Sequence, residues 1–237
     1  MARDDDTLTT IGFDADDTLW HNEQYFQLTT RRFTEWLADH ADAEDLNDQL
    51  LAAERRNLKL YGYGVKGFTL SMIETALEVT GGQVPSSTLQ DILHAGRDLL
   101  GQEVEILPHV EDTLEGLAGR YRLILITKGD LFDQERKVAQ SGLAEYFGVV
   151  EIVSEKTAET YGRIFAQSGD GPGRAMMVGN SVRSDVAPAI RAGSWGVHIP
   201  HDVTWELEHE APPIDKARFR QLPHMGELMA LIDALCE

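Results

Sequence analysis

Residues 7–20, TLTTIGFDADDTLW, pass without a break from a β-branched, apolar run into a cluster of aspartates at positions 14, 16 and 17. The first half reads as a buried strand, and the acidic half as a loop at its carboxyl end. Asp14 and Asp16, two residues apart, can bring a nucleophile and a proton-transfer group to one reacting centre. The same D-x-D is also what a simple turn would use, because aspartate readily hydrogen-bonds its own backbone. The remainder of the chain has to separate the two readings.

Outward from this stretch, short apolar runs recur: YRLILIT (121–127), VVEIVS (149–154), AMMVG (175–179) and GVHIP (196–200). Helical patterns lie between most of them, as in FDQERKVAQSGLAEYF, where Gly142 marks a break. Alternating strands and helices predict an α/β fold: a doubly wound parallel sheet, Rossmann-like, with helices on both faces. Ligands of such sheets bind beyond the carboxyl ends of the strands. Residues 22–104 interrupt the alternation with helical patterns alone. Phe26, Phe33, Trp36 and Leu37 share one helical face there, as do Met72, Ile73, Ala76 and Leu77. The expected organisation is a core of residues 1–20 and 105–237 with a helical insertion over 21–104. The pattern MGELMALIDALCE closes the chain as an amphipathic helix docked on the core.

The chain has 237 residues and a formal net charge of -19. Binding a nucleic-acid polymer needs a basic stripe to neutralise phosphates, and none is visible, so no such partner is expected. A small anionic substrate stays possible if local cations or a metal ion reverse the field. No apolar run is long enough for a membrane span. MARDDDTLTT has neither a signal-peptide nor a transit-peptide pattern, and the single cysteine, Cys236, permits no internal disulfide. A cytoplasmic location is expected on these grounds. The histidines are scattered without metal-ligand spacing, so no zinc site is expected.

Three further features fall at the ends of the later strands: Thr127, Lys156 in SEKTAET, and GNSVRSD with Asn180 and Asp185. Taken with Asp14-Ala15-Asp16-Asp17-Thr18, they make the chain resemble the haloacid dehalogenase-like (HAD) hydrolase superfamily over nearly its whole length. Its four motifs occur in this order at comparable spacing, and the helical insertion resembles the family's C1 cap. The resemblance implies that Asp14 attacks phosphorus and forms an aspartyl-phosphate. Asp16 would protonate the leaving oxygen and later take a proton from water. Thr127 and Lys156 would bind and neutralise the transferring group. Magnesium is the implied ion, with Asp14, the Asp16 carbonyl, Asn180 and Asp185 as its ligands.

Family members that displace halide generally lack the second aspartate, so Asp16 favours a phosphatase acting on a small soluble phosphorylated metabolite. A 2-haloacid dehalogenase, a phosphomutase and a non-catalytic phospho-ligand binder are the alternatives. Two positions depart from the common pattern: Asp17 stands where many members have glycine, and Asn180 where many have aspartate. The amide keeps an oxygen donor but removes one negative charge. Lys128, following Thr127, is a candidate substrate contact. Gly62-Tyr-Gly64-Val-Lys-Gly67 matches G-x-G-x-x-G but follows a helical stretch, so it reads as a glycine-rich turn between cap helices. From that turn Lys66 is the candidate to select substrate.

Overall fold

The computed structural model describes residues 7–236; the segment MARDDD and the side chain of Cys236, both used above for the question of location, lie outside the described set. No helix among the described residues is long and apolar enough to cross a membrane.

Six strands form one parallel sheet: β1 (Thr10–Phe13), β2 (Arg122–Lys128), β3 (Val149–Val153), β4 (Ala175–Gly179), β5 (Trp195–His198) and β6 (Phe219–Gln221), in the order β3-β2-β1-β4-β5-β6. β1 pairs in parallel with both β2 and β4, so Phe13 sits level with Leu125 on one side and Val178 on the other. Chain order reverses between β1 and β4, which makes the carboxyl ends of these two strands the switch point where such sheets open a crevice.

Alternation along the strands sorts side chains between two cores. Ile11, Phe13, Leu123, Leu125, Met176 and Val178 face one way, against α5 (Val110–Leu117) and α9 (Leu228–Cys236). Ile124, Ile126, Ala175 and Met177 face the other, against Tyr161, Ile164 and Phe165 of α7 (Ala158–Ser168) and Ala189 of α8 (Ala187–Ala192). Gly12 lies on this second face, where a Cβ would come 3.1 Å from each of Ile126, Met177 and Phe165. Its missing side chain is what lets Phe165 seat on the sheet. The sixth strand, Phe219–Gln221, is absent from the apolar pattern because it is three residues long and carries a polar pair after Phe219. The last helix, read from MGELMALIDALCE, buries Leu228 and Ile232 in the first core.

The chain divides into two compact units. One comprises the sheet and its helices, up to His21, then Val104–Lys128, and again from Glu135. The other comprises Asn22–Glu103 and Gly129–Gln134. Its helices are α1 (Glu23–Trp36), α2 (Ala43–Tyr61), α3 (Val65–Val79) and α4 (Ser86–Leu100), inserted after β1 as in a C1 cap. They close over Phe33, Leu37, Leu46, Leu50, Met72, Ala76 and Ile92. Leu77, expected on the buried face of α3, is exposed, because that face is centred on Met72 and Ala76. Gly62 and Gly64 join α2 to α3 with φ of 73° and 102°, a backbone only glycine adopts without strain. A Cβ at Gly67 would lie 2.8 Å from the Gly62 carbonyl. The G-x-G-x-x-G run is thus a tight helix-helix turn. α6 (Leu131–Ser141) ends at Gly142, whose φ of 71° stops the helix there.

Candidate active site

Asp14 is the first residue beyond β1, and its N–H donates to the Val178 carbonyl at 2.9 Å, extending the β1–β4 pairing by one step. The carboxylate therefore emerges at the switch point, next to the residues that follow β4. Those residues form a π-helical turn, Val182–Val186, in which both the Asp185 and Val186 amides donate to the Ser181 carbonyl. A wide turn of this kind often marks a functional site. Here it points the Asp185 carboxylate back at β4, and a Cβ at Gly179 would lie only 2.3 Å from it. Glycine at 179 is what leaves room for the carboxylate.

Lys156, after β3, reaches between the two acids. Its ammonium donates to Asp14 Oδ1 and, at 2.7 Å, to Asp185 Oδ1. All three groups are buried, with the Asp185 side chain 0% exposed and that of Lys156 2%. One ammonium between two carboxylates leaves this buried cluster a positive charge short. The Asp14 carboxyl accordingly is pushed up to about 7, first by burial and then by the neighbouring charge of Asp185, with Lys156 offsetting only part. Burial opposes the Lys156 ammonium too, but the charges of Asp14 and Asp185 outweigh it and hold that group above the ordinary lysine range. Tyr161, buried beneath, donates to the Ser184 carbonyl at 2.9 Å; burial, with Asp185 nearby, keeps its phenol well above its usual value.

Asp16 sits in a different environment. Its Oδ1 accepts from Trp20 Nε1 and from Lys137 Nζ, both at 2.7 Å, and the side chain keeps 22% of its exposure. The two donors fix the direction of the carboxyl group without burying it. Thr127 is buried near the end of β2. Lys128 is turned to an internal carboxylate: its ammonium lies 2.5 Å from Glu208 Oε1 and 2.7 Å from Ser184 Oγ. Glu208 also accepts from the Ser181 hydroxyl at 2.6 Å. Burial opposes its charge, but Lys128 and the hydroxyls of Ser181 and Ser184 outweigh it and hold the carboxyl below the usual range. Lys66 belongs to the helical unit, where it pairs with Asp130 at 3.0 Å.

Among the oxygens that could serve a hard cation, those of Asp14 and Asn180 are brought together around Thr18. The Thr18 hydroxyl lies 3.3 Å from both Asp14 Oδ2 and Asn180 Oδ1 and accepts from the Asn180 N–H at 3.0 Å. Two oxygens converging on one small group, beside a cluster deficient in positive charge, suit a divalent ion that prefers oxygen ligands. Asp185 instead has Oδ1 on Lys156 and Oδ2 on the Ser181 N–H at 3.0 Å.

Thr18, Ser181 and Ser184, which lie within the quoted motifs but were given no role, join this network, as do Lys137, Tyr161 and Glu208, which the sequence did not single out. Thr18 could have been found, since it stands four residues after Asp14 in the same run. Lys137 and Glu208 carry no local signal, because each meets its partner only through the tertiary fold.

Comparison with known proteins agrees with this architecture. Residues 8–193 match the family profile described as haloacid dehalogenase-like hydrolase. Among solved structures, a haloacid dehalogenase-like family hydrolase from Xanthomonas campestris is 41% identical, with a TM-score of 0.86, over 99% of this chain and 94% of that one. YfnB from Bacillus subtilis, assigned as a HAD hydrolase and bound to magnesium, is 15% identical with a TM-score of 0.67, over 96% and 99% of the two chains. An L-2-haloacid dehalogenase from Xanthobacter autotrophicus, with chloropropionic acid covalently bound, is 15% identical with a TM-score of 0.66, over 97% and 100%. These last two likenesses concern the fold alone. The search of curated proteins returned no match. With the profile spanning most of the chain and a relative of this identity covering nearly all of it, the protein belongs to the haloacid dehalogenase-like hydrolase family.

Proposed function

We propose that this hydrolase cleaves phosphomonoesters of a small soluble metabolite, with Asp14 as nucleophile and Asp16 as acid and base. The observation that carries the reading is the contrast between the two carboxylates. Asp14 is buried against Lys156, whereas Asp16, two residues on, is partly open and held in direction by Lys137 and Trp20. Displacing an alkoxide needs a proton donor beside the nucleophile, whereas halide leaves without one.

In the first step an Asp14 carboxylate oxygen bonds to phosphorus, the ester P–O bond breaks, and the departing oxygen takes a proton from Asp16. In the second, Asp16 accepts a proton from water as the water oxygen bonds to phosphorus. The Asp14–phosphorus bond then breaks, releasing inorganic phosphate and regenerating both carboxyl groups. Lys156 and the Thr127 hydroxyl face the charge of the transferring group, and Asp185 fixes the Lys156 ammonium from behind. Asp14, Asn180 and the Asp16 carbonyl would hold magnesium, with Asp185 acting through water or through Lys156. When bound, the ion supplies the positive charge the buried cluster is short of and lets an anionic phosphate approach. Lys128, poised against Glu208, is the candidate to contact the rest of the substrate once that pairing loosens. Lys66 is the corresponding candidate from the cap.

A panel of phosphomonoesters assayed with and without magnesium, beside Asp14→Asn and Asp16→Asn, tests this reading. Expected are magnesium-dependent phosphate release, its loss in Asp14→Asn, and a fall of about 10²–10⁴ in Asp16→Asn. Phosphate release undiminished in Asp14→Asn would overturn the mechanism. Halide release from 2-haloacids without phosphatase activity would assign the site to dehalogenation, and inertness to every ester would make it a binding site.

A further inference from the structure

Asp17, one of the two departures from the common family pattern, meets two histidines that the chain keeps far apart. Its carboxylate, His21 Nδ1 and His201 Nε2 lie within 4.8 Å of one another. His201 Nε2 is 3.4 Å from His21 Nδ1 and 3.7 Å from Asp17 Oδ1. A tetrahedral ion with bonds of about 2.0–2.1 Å separates its ligands by roughly 3.4 Å, so His201 Nε2 already stands close to that spacing from both His21 Nδ1 and Asp17 Oδ1. The imidazoles meet edge to face, at 66° with centroids 5.5 Å apart. Ring nitrogens are thereby turned toward one another rather than stacked.

The hydrogen bonding of His201 sharpens the point. Its Nδ1 lies 3.0 Å from the Val203 carbonyl, with the Val203 amide a longer partner at 3.3 Å. In the tautomer that donates from Nδ1, the Val203 carbonyl orients the ring in the way a backbone carbonyl orients a metal-ligating histidine. In that tautomer Nε2, which faces His21 Nδ1 and the Asp17 carboxylate, is left to act as a ligand. Asp17 and His201 are both largely buried, at 7% and 11% side-chain exposure. Asp17 also has φ of 60°, and its N–H donates to the Trp20 carbonyl at 2.7 Å. A left-handed aspartate is sterically unfavourable relative to glycine, which raises the question of what the carboxylate contributes there.

We propose that Asp17, His21 and His201 form a binding site for a zinc-like transition-metal ion, separate in chemistry from the oxygen-ligand site of Asp14 and Asn180. Two imidazole nitrogens and one carboxylate oxygen suit Zn²⁺ or Co²⁺ and do not suit Mg²⁺ or Ca²⁺. Three protein ligands leave the fourth position to water. The ion ties the loop after β1, which carries Asp14 and Asp16, to the segment after β5, which carries His201. Its occupancy braces the backbone turn on which the catalytic aspartates stand.

The test strips the protein with chelator, saturates it with Mg²⁺ to fill the oxygen site, and titrates Co²⁺ while recording visible absorption. Zn²⁺ retained after gel filtration is measured in parallel. Expected are one ion per chain and the intense absorption of four-coordinate Co²⁺, with binding weakened at least about tenfold in His21→Asn and in His201→Asn and unchanged in Asp14→Asn. Circular dichroism establishes that each variant is folded, and His201→Gln replaces His201→Asn if the latter is not. Binding that survives both histidine substitutions, binding that disappears in Asp14→Asn, or no Co²⁺ absorption in the wild-type protein would overturn the proposal.

Discussion

Replacing Asp14 by asparagine should stabilise the protein while abolishing turnover. In the folded protein the Asp14 carboxyl is raised from an ordinary 3.8 to about 7. The folded state therefore binds more protons than the unfolded state between these values, and stability falls as pH rises through that window. Every pH unit spent inside that window is worth about 1.4 kcal/mol, so the raised carboxyl costs about 4 kcal/mol at about pH 8, where it is ionised, and about 2 kcal/mol at about pH 5, where folding takes up a proton. Asparagine has the same shape without the charge: its oxygen can still accept from Lys156, and its amide can donate to Thr18. Asp14→Asn should then gain most of that amount at the higher pH, a rise of roughly 8–16 °C in Tm for a chain of this size. Thermal melts of both proteins across this pH range, without divalent ions, provide the measurement. Added Mg²⁺ should raise the Tm of the wild type and leave that of Asp14→Asn nearly unmoved, because binding to the folded state stabilises it. A variant no more stable than wild type at about pH 8, or a gap that fails to widen from about pH 5, would refute the claim that the Asp14 charge is under-compensated.

Lys156→Met removes the only cation between Asp14 and Asp185 among the described residues, and should destabilise by about 3–5 kcal/mol in urea unfolding near neutral pH. Gly179→Ala sets a methyl against the Asp185 carboxylate, displacing it and with it Lys156; turnover should fall by about 10² while secondary structure persists by circular dichroism. Glu208→Gln removes the nearer of the two carboxylates beside the Lys128 ammonium, the other being Glu155 at 3.9 Å, and should cost about 1–3 kcal/mol in denaturant unfolding. Because the Glu208 carboxyl lies below its usual 4.5, its contribution is present above that value and disappears as pH falls through the folded one. The difference between Glu208→Gln and wild type should shrink accordingly on acidification.

The alternation that predicts the sheet works because both faces of a parallel sheet are buried, which forces continuous apolar runs such as RLILIT and AMMVG. The same logic missed Phe219–Gln221, whose edge position needs only one apolar anchor. Helical periodicity identified Phe33, Leu37, Met72 and Ala76 but misplaced Leu77, since periodicity gives a face and not its width. For the site, residues at strand ends were legible: parallel strands share one direction, so their carboxyl ends share one rim.

What the sequence by itself determined is therefore the sheet, the helical insertion and the rim on which Asp14, Thr127, Lys156 and Asp185 stand, because these follow from local periodicity and strand direction. What only the tertiary structure decided is the pairing of charges. It divides Lys156 between Asp14 and Asp185, directs Lys128 to Glu208, holds Asp16 with Lys137, and gathers His21 and His201 about Asp17. Asp17 and His21 apart, such partners lie far apart along the chain, and spacing carries no trace of them. Burial then sets the strength of each interaction, since the same ammonium and carboxylate that matter little in water govern protonation once solvent is excluded.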